Sequence, residues 1–176
     1  MPAREHSVAD IEIVPVTATD EPALWEMLRL AAQAEDRSLD DVRRDPELAR
    51  YVDGWGRAGD SGVKAVDPAS GVCVGAAWLR LWRAGDHGYG YIDEHTPELS
   101  IAVVPDHQGT GIGTRLLEEL VAVTAGAHAA ISLSVRRNNT YALRLYRRLG
   151  FEPFVTATTE PDDSSITMRR AYPAPQ

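Results

Sequence analysis

The sequence predicts a mixed α/β (α+β) fold, a single domain built on a central mixed sheet of about seven strands flanked by about four helices. Three observations predict it. The apolar run Leu99 to Pro105 leads into a glycine-rich turn, Gln108-Gly109-Thr110-Gly111-Ile112-Gly113. An amphipathic stretch, Thr114 to Ala127, and a second apolar run, Ala129 to Val135, follow it. That order is a strand–helix–strand crossover, which sets two strands parallel. Two further pairs of apolar runs read as hairpins, which makes their strands antiparallel. Finally, 176 residues with 44% apolar content are the size and composition of one globular core.

The elements follow in order. Residues 1–10 are polar and are expected to be a flexible N-terminus, with the folded domain at 11–171 and a short tail at 172–176. Ile11 to Val16 alternates as a first strand. Thr19 or Asp20, with Pro22 just inside, starts a helix whose apolar stripe is Leu24, Leu28, Ala31 and Ala32. A second helix covers Asp40 to Val52, interrupted at Asp45-Pro46, where the proline can begin a fresh turn. Gly54, Gly56, Gly59 and Gly62 punctuate a loop. Gly62 to Val66 and Val72 to Trp82 read as two strands joined by the turn Asp67-Pro68-Ala-Ser-Gly71. Arg83 to Pro97 is a long glycine-rich connection, and Glu98 to Val104 is the next strand. The helix from Thr110 to Gly126 carries the stripe Ile112, Leu116, Leu117, Leu120 and Val123. A strand at Ala129 to Val135 and a helix at Thr140 to Leu149 come next, and Phe151–Thr158 with Ser165–Arg170 closes the chain as a hairpin.

Composition excludes several classes of function. A net charge of -8 leaves no basic surface for nucleic acid, whose phosphates demand clustered Lys and Arg. The one dense basic group is Arg136, Arg137, Arg144, Arg147 and Arg148, read either as a phosphate site or as a solvated helix face. The lone Cys73, in an apolar stretch, cannot form an intramolecular disulfide and reads as a structural thiol. The five histidines lack metal-ligand spacing, so no metal is expected. No apolar run approaches the roughly 20 residues that cross a bilayer. The first residues lack the basic-then-apolar order of a secretion signal, so the chain is expected to be cytoplasmic, without membrane partners.

The glycine turn carries the chemistry. Glycine lets a ligand approach the backbone, and freed amides at a helix start, with the helix dipole behind them, bind phosphate. A Walker loop would end in Gly-Lys-Ser/Thr, but Gly113 is followed by Thr114-Arg115. A dinucleotide fingerprint would place Gly or Ala at 114, and an acidic residue about 20 positions on; neither is present. A glycine-rich turn without a ligand is the remaining alternative. Gln108-x-x-Gly111-x-Gly113 instead resembles the coenzyme A pyrophosphate loop of the GNAT N-acetyltransferases. Upstream, Glu98-Leu-Ser-Ile-Ala-Val-Val-Pro105 is similar to that family's fourth strand. Downstream, Asn139-Thr-Tyr-Ala142-Leu-Arg-Leu-Tyr146, running on to Leu149-Gly150-Phe151, is similar to its closing Asn-x-x-Ala-x-x-x-Tyr stretch. The chain thus resembles a GNAT domain, which implies a twisted, mostly antiparallel sheet and acetyl-CoA as co-substrate.

The resemblance also implies roles. Gln108, Gly109, Thr110, Gly111, Ile112, Gly113 and Thr114 would hold the pyrophosphate. Ile101, Ala102 and Val103 would pair through their backbone with the pantetheine arm, the Val103 amide facing the oxyanion. Asn139 would reach the same arm, or simply cap its helix. Tyr146 matches the general acid, a phenol being protonated at neutral pH. Glu98 matches the glutamate that some relatives use as base, commonly through water. His95 is the substitute, because imidazole titrates near neutrality.

The acceptor is expected to be a primary amine, on a small molecule or a peptide. Carboxylates and aromatic rings gather in the first two helices and in the connection before Glu98, which makes Tyr89, Tyr91, Asp93 and Glu94 candidates for holding a cationic amine. A solvated acidic face is the plainer reading of the same residues. The expected reaction is direct transfer in a ternary complex, and a homodimer is compatible with the sequence. The rival class is a non-catalytic acyl-CoA sensor on the same fold, which would need neither Tyr146 nor Glu98.

Overall fold

The structure, a computed structural model, describes residues 10–155 and 164–174. Its elements run β1 (Glu12–Pro15), α1 (Glu21–Ala31), α2 (Leu39–Arg44), α3 (Pro46–Ala49), β2 (Ser61–Val66), β3 (Cys73–Arg80), β4 (Glu98–Val103), α4 (Ile112–Thr124), β5 (Ala130–Arg136), α5 (Thr140–Arg148), β6 (Glu152–Pro153) and β7 (Ser165–Ala171). The strands form one seven-stranded sheet in the order β1-β2-β3-β4-β5-β7-β6. Only β4 and β5 pair in parallel; all other neighbours are antiparallel. The expected mixed sheet is therefore present. Residues 1–9, read as a flexible start, and most of the closing connection, 156–163, lie outside the described residues.

Local chemistry accounts for the helix boundaries. Asp20 precedes α1, with Pro22 in its first turn, where a missing amide costs nothing. The segment expected as one helix over Asp40–Val52 is two, so the described residues hold five α-helices rather than four. Ser38 caps α2 by accepting from the Asp41 amide, and Asp45 caps α3 by accepting from Glu47, with Pro46 at the first helical position. Residue 45 is held extended ahead of the proline, which is what ends α2.

Two cores lie on opposite faces of the sheet. Strand alternation sends Val63, Ala65, Ala77, Leu79 and Leu99 to one face, against Leu116, Leu117 and Leu120 of α4 and Leu143 of α5. Leu116, Leu117 and Leu120, fully buried, each contribute about 1.5–3 kcal/mol of hydrophobic burial. Ala76, Trp78, Trp82 and Ala102 turn to the other face, against Leu24, Trp25, Met27 and Leu28 of α1 and Val42 of α2. Val123, expected in the α4 stripe, is 55% exposed, whereas Thr124 is buried. Val123 sits at the edge of the stripe, beside a shallow groove with β1. Thr124 turns inward because its hydroxyl meets the Leu120 carbonyl and the Tyr172 hydroxyl, each at 2.6 Å. Tyr172 is thus packed into the fold, so the folded unit extends past the expected boundary at residue 171.

Candidate active site

The site begins where two strands part. β3 and β4 pair through six residue pairs, from Arg80–Glu98 to Gly75–Val103. β4 and β5 share one, Glu98 with Ser132, tied by the Ser132 amide to the Pro97 carbonyl at 3.0 Å. From Glu98 onward the ladder between the parallel strands stops, and a wedge opens toward their carboxyl ends. Ile101, Ala102 and Val103 line the β4 side of that wedge. In an open α/β sheet this is the position where ligands bind.

The glycine turn closes the open end of the wedge. Gly109 and Gly111 adopt φ of +73° and +88°, a left-handed backbone that suits glycine, and a Cβ at either would meet nothing within 4 Å. Gly111 is the residue before α4 and provides no side-chain cap. The first backbone bond of the helix is donated by Arg115 to the Gly111 carbonyl. The amides of Ile112, Gly113 and Thr114 are therefore orphan donors of the first turn, with the helix dipole behind them. Gln108 folds back, its Nε2 donating to the Val103 carbonyl at 3.0 Å, and Thr110 donates to the His107 carbonyl. Those bonds fix the turn against the end of β4. Ile112 itself is buried, so only its backbone serves the turn.

Across the wedge, Asn139 caps α5 by accepting from the Ala142 amide at 3.1 Å, and its Nδ2 makes no hydrogen bond among the described residues. Tyr146 is nearly buried, its ring 5.8 Å from that of Phe151. Burial pushes its phenol up to about 12, and its hydroxyl has no hydrogen-bond partner among the described residues. It remains protonated at neutral pH and free to donate.

Glu98 lies at the point of parting, its carboxyl group on the α1–α3 face and 2% exposed. It accepts from the Gly90 amide, and the Tyr51 hydroxyl, which favours the ionised form, stands beside it. Burial nevertheless outweighs both and pushes its pKa up to about 7, because it strips the charged form of most of its solvation. The connection 83–97 straps over it. Gly88 and Gly90 are buried there, and both must be glycine because a Cβ at either would stand 2.6 Å from a Glu98 carboxyl oxygen.

The acceptor candidates divide. Tyr89 is exposed, its hydroxyl donating to Glu47 at 2.7 Å, and Tyr91 stacks on His87 at 4.2 Å. Asp93 and Glu94 fold the strap instead, accepting from the amides of His95 and Ala84. His95, the substitute base, is exposed in that turn. Of the carboxylates in the second helical segment, Asp41 accepts from the Ser38 hydroxyl at 2.8 Å, and Asp45 caps α3 and pairs with Arg37 at 3.0 Å. Among the described residues, no three His, Cys, Asp or Glu side chains gather as a metal site, and no helix is long and apolar enough to cross a membrane.

Sequence reasoning missed the framework beneath Glu98. Tyr51 follows α3 by two residues and reaches across to β4. Arg80, 1% exposed, forks onto Asp60 at 3.0 and 2.8 Å and donates to the carbonyls of Arg50 and Asp53. It thereby holds the turn that carries Tyr51. The signal was a charged residue at the inward phase of an otherwise apolar strand, between Trp78 and Trp82.

The model of the acetyltransferase (GNAT) family matches residues 23–151. The L-methionine sulfoximine/L-methionine sulfone acetyltransferase of Salmonella typhimurium is 36% identical over 128 residues, 71% of this chain and 67% of that protein. The L-amino acid N-acyltransferase MnaT of Escherichia coli is 38% identical over 88 residues, 49% of this chain. The match spans about half, 48%, of MnaT's own length. Among solved structures, yncA of Salmonella typhimurium, determined with its cofactor acetyl-CoA, superposes with a TM-score of 0.64 at 24% identity, covering 94% of this chain and 98% of that one. That likeness shows the fold. The chain belongs to the acetyltransferase (GNAT) family.

Proposed function

We propose that this protein transfers an acetyl group from acetyl-CoA to a primary amine, with both substrates bound at once. The observation that carries the reading is the parting of β4 from β5 at Glu98, with the uncapped start of α4 at the open end. The residues fit the co-substrate: orphan amides of Ile112, Gly113 and Thr114 suit a pyrophosphate, and the β4 edge at Ile101 to Val103 suits an amide-bearing arm that adds like a strand. Acetyl-CoA supplies the activated thioester carbonyl. Gln108, Gly109, Thr110 and Gly111 shape the phosphate turn, and the Asn139 Nδ2 group is a further donor beside it.

Glu98 takes the proton that the amine loses, through a water, since its carboxyl group is buried. With its pKa near 7 it is about half ionised at neutral pH, the balance a general base needs. Tyr146 donates a hydrogen bond to the departing sulfur. An ordinary thiol titrates near 8.5, so complete proton transfer from a phenol held near 12 would run uphill; its contribution is stabilisation of the sulfur as charge builds.

The acceptor meets the face beside Tyr89 and Tyr91. With Asp93 and Glu94 occupied by strap amides, attraction for a cationic acceptor rests on Glu47 and the tyrosine rings. The relatives are named for L-amino acids and L-methionine sulfoximine or sulfone, which supports trying α-amino acids first. The test is free-thiol release from acetyl-CoA against a panel of L-amino acids, methionine derivatives, polyamines and peptide amines. Turnover with at least one amine supports the reading; tight coenzyme binding without turnover on any of them favours a sensor.

A further inference from the structure

The geometry points to Tyr51 as a positioning residue for acetyl transfer: its hydroxyl ties the Glu98 carboxyl group to the 83–97 strap, and so sets the pH range over which Glu98 takes a proton. The inference rests on Glu98 as the proton acceptor of the proposed function.

The arrangement is built, not incidental. The Tyr51 hydroxyl accepts from the Tyr89 amide at 2.8 Å, which leaves its own proton for the Glu98 carboxyl group beside it: a Cβ at Gly88 would stand 2.3 Å from that hydroxyl and 2.6 Å from Glu98 Oε2. One phenol therefore spans strap and strand. The Tyr51 ring stands edge-on to Trp82 at 5.2 Å, and its carbonyl accepts from Trp78 Nε1 at 3.0 Å. Arg80, anchored on Asp60, pins the neighbouring carbonyls of Arg50 and Asp53. The phenol is thus held from its backbone outward, as a group that must aim at one atom has to be. On the strap, Gly88 leaves room for it: a Cβ there would collide with the Tyr51 hydroxyl. Ser132 Oγ completes the frame by donating to the Gly90 carbonyl at 2.7 Å, while the Gly90 amide reaches Glu98.

Other charges near the pair are accounted for. Arg50 favours ionised Glu98, and its guanidinium donates to the His87 carbonyl of the strap. Arg80, the register neighbour of Glu98 on β3, is neutralised by Asp60. Glu47 is engaged with Tyr89 Oη, and the β5 neighbour Ser132 carries no charge. Among the phenols of the described residues, Tyr51 is the one that favours ionised Glu98. A hydrogen bond to the ionised form favours that form, so the hydroxyl draws the titration of Glu98 down toward neutrality against the effect of burial.

The experiment compares the parent with Tyr51→Phe, which keeps the ring, its contact with Trp82 and the backbone bond to Trp78. Two readouts are taken. One is the carboxyl ¹³C titration of Glu98, assigned with Glu98→Gln; the other is the pH dependence of kcat/KM. The expected result is a rise in the Glu98 midpoint of about 0.5–1 unit, with the acidic limb of the rate moving by the same amount. A 3-fluorotyrosine installed at position 51, whose more acidic hydroxyl donates more strongly, should shift both the opposite way. A phenol that merely packs would move neither. An unmoved Glu98 titration in both variants overturns the inference. A titration that moves while the rate limb stays put supports the Tyr51–Glu98 pairing and removes Glu98 as the base, so the two failures are told apart.

Discussion

Replacing Glu98 with glutamine should change how stability and rate depend on pH, and the structure fixes both signs. The folded protein holds this carboxyl group at about 7, against an ordinary 4.5. The native state thus binds the proton more tightly than the unfolded chain does. Its contribution to stability is fully present below pH 4.5, declines as pH rises, and is gone above about pH 7. A difference of 2.5 units corresponds to about 3 kcal/mol at 1.36 kcal/mol per unit. Glu98→Gln keeps the shape and a carbonyl acceptor for the Gly90 amide but cannot ionise. Urea denaturation at pH 5 and pH 8, on both proteins, isolates the effect: the unfolded carboxyl group is already largely ionised at pH 5, so parent stability should fall by about 2.5 kcal/mol more than that of the variant. The lowered carboxyl groups of Asp20, Asp41 and Asp45 act in the opposite direction and cancel, being common to both. Equal pH dependence in the two proteins would refute the reasoning.

The rate provides the second measurement. If ionised Glu98 accepts the amine proton, kcat/KM should climb with a midpoint near 7, leaving about a tenth of the plateau at pH 6. Glu98→Gln should erase that limb and lower the plateau by roughly 10²–10⁴-fold, the usual worth of a positioned base. An α-amino acceptor has its own limb near 8, which stays in both proteins. A limb near 7 that survives in Glu98→Gln and vanishes in His95→Ala would transfer the role to His95.

Gly113→Val should leave the melting temperature nearly unchanged, because a Cβ there lies 3.9 Å from its nearest neighbours and valine suits a helix at least as well as glycine. It should weaken acetyl-CoA binding about 10²–10⁴-fold by calorimetry, the cost of about two charge-assisted hydrogen bonds. Gly111→Val should do the same and also lower the melting temperature by a few degrees, since its φ of +88° strains a side-chain-bearing residue by about 1–2 kcal/mol. Unchanged affinity in both would remove the phosphate-turn reading. Tyr146→Phe should lower kcat while coenzyme affinity and melting temperature hold, because the lost hydroxyl makes no hydrogen bond within the described protein; normal kcat would make it a packing residue. Asp60→Ala leaves the Arg80 guanidinium buried without its partner, which costs about 3–5 kcal/mol, read as a fall in melting temperature on the order of 10 °C.

The sequence made β4, the glycine turn and α4 readable because their signals are local, whereas the parting of β4 from β5 is not displayed by it. Alternation in β4, glycines at Gly109 and Gly111, and the apolar stripe of α4 lie within about 25 consecutive residues and follow from backbone sterics and helix periodicity. The hairpin of β2 and β3 was readable for the same reason. What stayed hidden depends on contacts between distant segments. Tyr51 and Tyr89, which share a hydrogen bond, stand 38 residues apart, and nothing in the residues around Tyr51 marks a phenol aimed at a strand. The break at Asp45-Pro46 was visible, but whether the helix bends or restarts depends on the Asp45 side chain finding the Glu47 amide.

The carboxylates show most directly why residue type alone fell short. Asp45, Asp93, Glu94 and Glu98 each accept a hydrogen bond from a backbone amide, so in pattern they are alike. The first three do so where the solvent still reaches them, and their bonds shape a helix start or a strap. Glu98 does so at the inward phase of β4, on the face shared with Trp78 and Arg80, beneath a strap that must be glycine to pass over it. There burial strips the charged form of most of its solvation and outweighs the hydrogen bond that the carboxyl group accepts, so Glu98 is pushed up to about 7. Periodicity could have told them apart in advance. Glu98, Ser100 and Ala102 share a face of one strand, and a register of one residue more would have turned the same glutamate into the opposite, leucine-lined core. The placement of that single residue relative to the pleat makes the difference between an acid that folds a loop and an acid suited to moving a proton.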